Sequence, residues 1–240
     1  GTPSAIPAIA ILLLVGLALR LIIAYVLFPG SGFQSDIGSF ISWSLTLAHS
    51  GPGGFYANAG FADYPPAYLY VLWLIGSLGS GLATLLGGGT IVLGGTAVAL
   101  PDAIVGGLLK LPAIAADLAV GYLLYRLVRR WRGEHADART AGLAAAALYL
   151  FNPVTWYDSA LWGQIDGVGA LVMLIALAFL IDGFSETAVG FAAVAALVKP
   201  QYGIVLAPVV GVILLRRHLF LVGSGPRATV LISTATPPTR

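Results

Sequence analysis

The stretch "AIPAIAILLLVGLALRLIIAYVLF", residues 5–28, decides the class of protein to which this chain belongs. Its only charged residue is Arg20. About 20 consecutive apolar residues are enough to cross the hydrocarbon core of a bilayer as an α-helix. The run is longer than the apolar region of a typical signal peptide, and no basic segment precedes it. We therefore interpret it as a retained transmembrane helix that ends at Pro29-Gly30.

The whole chain shares this apolar character. Hydrophobic residues make up 58% of it and charged residues 9%, and its mean hydropathy is +0.93. This composition excludes a soluble fold and predicts an all-α polytopic membrane protein with the lipid bilayer as its partner. A net charge of +2 does not suggest nucleic-acid binding. The chain lacks cysteine and its histidines lack metal-ligand spacing, so we expect no disulfide, metal or cofactor.

The basic residues predict the orientation of the chain in the membrane. Five arginines crowd one short segment around 128–139, and Arg216-Arg217 end a later apolar run. Cytoplasmic loops carry an excess of Lys and Arg, so both segments are predicted to be cytoplasmic. No Lys or Arg occurs from Leu21 to Leu109, which favours an external position for the residues that follow the first span. The arginines of the first segment are Arg126, Arg129, Arg130, Arg132 and Arg139.

These signals together predict about six transmembrane helices. Residues 67–86 are also apolar enough to cross, but crossing would put the arginine-rich segment outside. We therefore interpret residues 30–101 as one long external segment whose apolar parts lie at the interface. Its glycine-rich run at 87–95 is predicted to be a loop. The predicted spans are 5–28, 103–127, 140–156, 167–183, 186–199 and 203–217.

A polar segment, "WYDSALWGQIDG" at 156–167, stands between two of these apolar runs. The order of the spans places it on the external side, at the mouth between two helices. The same order places Asp36, Asp63 and Lys199 on that side. Charged groups near a membrane interior are costly, so a set that converges from distant parts of the sequence indicates a functional site.

Five sequence motifs occur in a familiar order: "FQSDIGSFISWSL", "FADYPPAYLY", "KLPAIAADLAVGYLLYRL", "LFNPVTWYDSALWGQIDG" and "ALVKPQYG". Together they resemble the GT-C membrane glycosyltransferases, which use polyprenyl-phosphate sugars. The most similar members are bacterial mannosyltransferases related to the GPI mannosyltransferase, and the glucosyltransferases that extend the dolichol-linked N-glycan. The resemblance covers about residues 5–217.

The resemblance implies a GT-C-like transmembrane catalytic module at 1–217, with 30–101 as its external first loop. GT-C modules contain more helices than the spans predicted here, so we expect an N-terminal fragment of such an enzyme. Residues 218–240 are predicted to be a disordered or truncated tail, because they lack span length and helical pattern.

The resemblance also implies an activity at the external face of the cell membrane. A hexose, with mannose favoured, would move from a polyprenyl-phosphate donor to a hydroxyl of a lipid or glycan acceptor, with inversion. Asp36 matches the catalytic base of the family by its place early in the first external loop. The predicted substrate-binding residues are Asp63, Tyr64, Asp158, Gln164, Asp166, Lys199 and Gln201.

These residue types suit the implied chemistry. A carboxylate takes the proton of the acceptor hydroxyl in an inverting displacement. A cation or a set of hydrogen-bond donors stabilises the phosphate that leaves. Because the donor is not a nucleotide, the reaction does not require a divalent metal.

Several of these residues also have a purely structural interpretation. Asp36 and Asp166 could each be the N-cap of a helix, and Asp63 could cap a turn. Lys199 could reach the interface as a snorkelling lysine. For all but Asp63, where the two interpretations are even, we favour the functional one. For Trp156, Tyr157 and Trp162 we favour an interfacial aromatic belt.

Three charged residues fall within predicted spans: Arg20, Lys110 and Asp117. Lys110 and Asp117 are seven positions apart, which puts them on one face of a helix. We interpret all three as structural charges that face the helix bundle, with contact to the donor phosphate as an alternative for Arg20.

Two other classes of function compete with a glycosyltransferase. A transporter or lipid flippase would share broken helices and buried charges, but the sequence shows no internal repeat. A structural subunit of a larger complex would make Asp36 dispensable. The sugar, the acceptor, the linkage and the oligomeric state stay open at this point.

Overall fold

The computed structural model describes residues 7–222, and the side chains of residues 7–216. The protein is mainly helical and contains one small β-hairpin. The helices and strands are, in chain order, α1 Ala8–Leu21, α2 Gln34–Asn58, α3 Pro66–Leu85, β1 Thr90–Leu93, β2 Thr96–Ala99, α4 Leu100–Leu108, α5 Leu111–Arg132, α6 Ala138–Leu150, α7 Pro153–Trp156, α8 Asp166–Ile181, α9 Ser185–Val198 and α10 Leu206–Val222. Two π-helical turns, Ile22–Leu27 and Tyr157–Trp162, extend α1 and α7, and a 3₁₀ helix, Pro200–Val205, precedes α10.

Three helical segments among residues 7–222 are long and apolar enough to cross a membrane: Ala8–Leu27, Pro66–Leu85 and Leu100–Arg132. This confirms a helical membrane protein, while the fuller set of about six spans stays a prediction. The remaining apolar helices, such as α9, are shorter than a span. Helix α3 has the length and composition of a span, so its external position rests on the arginines alone.

The orientation can be tested with single cysteines, because the natural chain has none. Ser35, Thr96 and His135 are exposed positions in the external segment, the hairpin and the arginine-rich segment respectively. We expect Ser35→Cys and Thr96→Cys to react with an impermeant thiol reagent in intact cells, and His135→Cys to react only after permeabilisation. Protection of Thr96→Cys alone would show that α3 crosses the membrane. Labelling of His135→Cys in intact cells would reverse the predicted orientation.

The glycine-rich run at 87–95 is only partly the loop that the sequence predicts, because it contains strand β1. Strands β1 and β2 pair antiparallel, from Thr90 opposite Ala99 to Leu93 opposite Thr96. Gly94 and Gly95 form the turn, with φ of 55° and 85°. Positive φ at both central residues is the geometry that a two-residue hairpin needs, and glycine adopts it without a steric penalty.

The predicted span at 140–156 is also wrong in its extent, because α6 ends at Leu150. Asn152 is extended, as a residue before proline usually is, and Pro153 begins α7. The Asn152 Oδ1 atom accepts a hydrogen bond of 2.9 Å from the backbone N–H of Val154. This N-cap starts a new helix, so the break after α6 lies at residues 151–152, before the predicted end of the span at 156.

The protein divides into two compact units, Gly1–Leu171 and Val172–Arg240. In the first, α2 packs against α3 so closely that a Cβ atom on Gly76 would lie 1.9 Å from the Ser44 carbonyl oxygen. An aromatic cluster covers the same interface. It contains Phe40, Trp43, Phe55, Tyr64 and Tyr68.

We expect Gly76→Ala to lower the free energy of unfolding by about 3 kcal/mol, because the new methyl group overlaps a backbone oxygen that cannot move away. Gly81→Ala is the matched control in the same helix, since nothing lies within 4 Å of its Cβ position. That change should stabilise the protein by up to about 1 kcal/mol through helix propensity. Unfolding in mixed micelles measures the change in unfolding free energy for both variants. Equal changes for Gly76→Ala and Gly81→Ala would contradict the close packing of α2 and α3.

In the second unit, α8 and α9 join at a tight turn through Gly183, whose φ is 86°. This turn lies between Asp182 and Glu186. Lys199 is extended before Pro200, and α9 ends at Val198, because proline restricts the backbone of its own residue and of the residue before it. The predicted boundary at 217 falls inside α10, which continues to Val222; residues 223–240 of the predicted tail lie outside the described part.

Candidate functional site

Asp36 lies in the first turn of α2, directly after the turn that ends the first span. The N-cap position belongs to Phe33, so Asp36 is not the helix cap that the sequence allowed. Its backbone N–H donates to the Phe33 carbonyl at 3.0 Å. A carboxylate in the first turn is favoured by the helix dipole. The side chain is half-buried.

Two side chains from the polar segment reach this carboxylate. Trp162 Nε1 donates to Asp36 Oδ2 at 3.3 Å, and Gln164 Nε2 donates a short hydrogen bond to the same oxygen. The structure therefore brings together Asp36 and Gln164, two of the residues that the sequence singled out. Trp162, which we assigned to an aromatic belt, is a direct partner of Asp36.

The fold of the polar segment explains why both side chains point this way. The π-helical turn ends at Gly163, which is left-handed, with φ of 84° and ψ of 26°. The N–H groups of Gly163 and Gln164 both donate to the Asp158 carbonyl, at 2.9 and 3.1 Å. A Cβ atom on Gly163 would lie 2.6 Å from Ile37 Cδ1, the end of a side chain that can shift, so glycine is needed here chiefly for its left-handed conformation.

A buried lysine holds the end of this π-helical turn. Lys110, only 4% exposed, lies between α4 and α5. Its Nζ donates to the carbonyl oxygens of Ala160 at 2.9 Å and Leu161 at 3.4 Å, and to Ser31 Oγ at 3.3 Å. These bonds satisfy carbonyl groups that a helix end leaves without partners.

An open cleft of about 390 Å³ lies between residues 28–33 and the π-helical turn Tyr157–Trp162. Trp162 lines the cleft and also donates to the Asp36 carboxylate. Its ring contacts those of Phe33 and Tyr157, each with a centroid distance of 6.0 Å. The lining is mostly apolar and comprises Phe28, Ser31, Gly32, Phe33, Tyr157, Leu161 and Trp162.

The Tyr64-Pro65-Pro66 element joins α2 to α3. Pro66 occupies the first turn of α3, a position that proline favours. The Tyr64 ring packs against Phe40 and Trp43 with centroid distances of 5.5 Å to both. The structure thus gives Tyr64 a packing role. Asp63, just before it, is exposed.

The other predicted site residues lie on different elements of the structure. Asp158 is half-buried in the π-helical turn, and Asp166 is the first residue of α8. Lys199 and Gln201 belong to the second unit, where Lys199 is half-buried and Gln201 exposed. Their common site with Asp36 stays a prediction.

Arg20 and Asp117 form one buried network with side chains of α6 and of the polar segment. Arg20 Nε donates to Asp117 Oδ2 at 2.8 Å, and both residues are at most 1% exposed. Asp117 also accepts from Tyr149 Oη at 2.9 Å and from Ser159 Oγ at 2.7 Å. The remaining Arg20 donors bond to the Gly16 and Leu150 carbonyls and to Thr155 Oγ1. This arrangement confirms Arg20 and Asp117 as structural charges that face the helix bundle.

A comparison with known protein families identifies the family to which the chain belongs. The model of the family described as "GPI transamidase subunit PIG-U" matches residues 58–234, well over half of the chain. The chain belongs to the PIG-U family. No curated protein and no solved structure matches it. Membership confirms a membrane protein of a GPI-related group. PIG-U is described as a transamidase subunit rather than a glycosyltransferase, so sugar transfer by this family member is a proposal.

Proposed function

We propose that this PIG-U family member transfers a hexose, with mannose favoured, from a polyprenyl-phosphate sugar to an acceptor hydroxyl at the external membrane face. The observation that carries the proposal is the Asp36 carboxylate, which shares Trp162 with an open cleft just beyond the first span. A base in that place reaches a hydroxyl on the aqueous side while the hydrocarbon chain of the donor stays in the bilayer.

In the proposed reaction, Asp36 takes the proton of the acceptor hydroxyl as that oxygen attacks the anomeric carbon. The new glycosidic bond forms as the bond from the anomeric carbon to the phosphate oxygen breaks, and the configuration inverts. Polyprenyl phosphate leaves with the electron pair. Trp162 and Gln164 both donate to Oδ2 and hold the carboxylate, and in the proposed reaction Oδ1 takes the proton.

The other substrate contacts are proposed from the sequence. Lys199 and Gln201 would contact the departing phosphate, and Lys199 would stabilise its charge. The sugar and the lipid or glycan acceptor would contact Asp63, Tyr64, Asp158, Gln164 and Asp166.

The family description favours a second candidate, a non-catalytic subunit of a membrane complex that acts on GPI. In that case the cleft would bind a lipid or a partner helix without chemistry. The two functions differ in what the isolated chain does to a sugar donor.

The test is an assay of the full chain, reconstituted in liposomes, with labelled polyprenyl-phosphate mannose and polyprenyl-phosphate glucose. Membrane extract supplies lipid and glycan acceptors. Chain-dependent transfer of label to an acceptor would support the glycosyltransferase and identify the sugar. Absence of transfer, together with recovery of the chain in a stable complex with other membrane proteins, would favour the subunit.

A further inference from the structure

We propose that the cleft lined by Ser31 and Trp162 binds the phosphate group of an amphiphilic phosphate ester, with Ser31 as its hydrogen-bond donor and Lys110 as the positive charge behind that donor. The inference rests on the proposed function and deepens it, because it names the residues that hold the phosphate of the lipid donor. It adds to the sequence-based proposal for Lys199.

The first argument is the charge of Lys110. All three hydrogen-bond partners of its ammonium group are neutral: two backbone carbonyls and the Ser31 hydroxyl. In the part of the chain with described side chains, Lys110 forms no salt bridge, whereas Arg20 is paired with Asp117. A buried ammonium without an anion is costly, and uncompensated charges within membrane proteins mark ligand sites.

The second argument is the distance from this charge to the cleft. Ser31 and Leu161 both line the cleft, and Lys110 Nζ lies 3.3 Å from Ser31 Oγ and 3.4 Å from the Leu161 oxygen. The ammonium therefore lies one hydrogen bond behind the cleft wall. Ser31 Oγ now donates to Leu161 O at 3.4 Å, a long bond that a phosphate oxygen would replace. The hydroxyl would then donate to the phosphate while it accepts from Lys110.

The third argument is the apolar character of the remaining wall. Phe28, Phe33 and Trp162 line the cleft, and Phe28 directly follows the helix of the first span. Phe28 and Phe33 are exposed, so a hydrocarbon chain attached to the phosphate has an apolar surface along which to leave the cleft. A free phosphate would gain nothing from these side chains. The lining therefore favours a lipid phosphate over an inorganic one.

The test measures equilibrium binding of farnesyl phosphate to the full chain in detergent micelles, with farnesol and inorganic phosphate as competing probes. We expect farnesyl phosphate to bind, and we expect Ser31→Ala, which removes the direct donor, and Lys110→Met, which removes the charge behind it, each to weaken binding by roughly tenfold, the usual loss of a hydrogen bond to a charged group. Arg132→Met is the matched control, because it removes an exposed cation from the far end of α5, the helix that Lys110 precedes, and should leave binding unchanged.

Ser31→Ala keeps the strong bond from Lys110 to Ala160, so it tests the site even if Lys110→Met destabilises the chain. Wild-type binding by Ser31→Ala and by a folded Lys110→Met would overturn the inference. Equal competition by inorganic phosphate or by farnesol would also overturn it, because the site would then recognise one half of the amphiphile only. Binding is independent of turnover: phosphate binding that depends on Lys110 without sugar transfer would refute the proposed function and leave this inference intact.

Discussion

Replacement of Asp36 by Asn is expected to lower the rate of sugar transfer by about 10²–10⁴-fold, the usual loss when a positioned general base is removed. The amide has the shape of the carboxylate, and its oxygen still accepts a hydrogen bond from Trp162 or Gln164. It has no basic oxygen that takes the acceptor's proton. Expression, melting temperature and donor binding should therefore stay close to those of the wild type while turnover collapses.

Asp102→Asn is the matched control for this change. Asp102 is a half-buried acid in the first turn of α4, a position equivalent to that of Asp36 in α2. Transfer by Asp102→Asn should be near that of the wild type. If Asp36→Asn also turned over at a near-normal rate, the base would lie elsewhere, and Asp166 and Asp63 would be the next candidates.

Replacement of Arg20 by Met is expected to destabilise the protein by roughly 3–5 kcal/mol, the usual cost of breaking one side of a buried ion pair. The change leaves the Asp117 carboxylate buried, with Tyr149 and Ser159 as its remaining hydrogen-bond donors. It also leaves the Leu150 carbonyl, at the end of α6, without its bond from Arg20. Reversible unfolding in mixed micelles measures the loss.

The surface pair of Arg132 and Asp137 provides the comparison, since these side chains are 44% and 56% exposed. Arg132→Met should cost at most about 1 kcal/mol, because water screens the pair. The double variant Arg20→Met/Asp117→Leu should recover part of the lost stability, since it leaves no unpaired charge inside. Similar losses for Arg20→Met and Arg132→Met would refute a structural role for the buried network.

The class of protein and the ends of several helices follow from the sequence alone. Long apolar runs leave few alternatives to membrane helices, because a bilayer provides no hydrogen bonds to an irregular backbone. The helix of the first span ends before Pro29-Gly30 and α9 ends before Pro200, since proline restricts the backbone conformation of its own residue and of the residue before it. Local chemistry also indicated that Arg20 and Asp117 face the helix bundle, because a charge in an apolar run needs a partner, but only the structure pairs them.

Two other local features have a signal in the sequence that their apolar or glycine-rich surroundings obscure. Asn152-Pro153 is a helix stop and start, yet the apolar run around it led us to continue the helix to residue 156. The hairpin was similar: Thr90–Leu93 is rich in β-branched residues and the Gly94-Gly95 turn follows, but the neighbouring glycines suggested a loop.

The composition of the candidate site depended on the tertiary structure. Sequence order and the family resemblance put Asp36 and Gln164 on one side of the membrane, and the structure joins them by a hydrogen bond. Nothing in the sequence pairs Trp162 with Asp36 or Lys110 with Ala160, because hydropathy predicts burial and not the partner of a buried group. Those partners depend on where the π-helical turn ends and where α4 meets α5. Both positions result from packing between segments that are far apart in the chain.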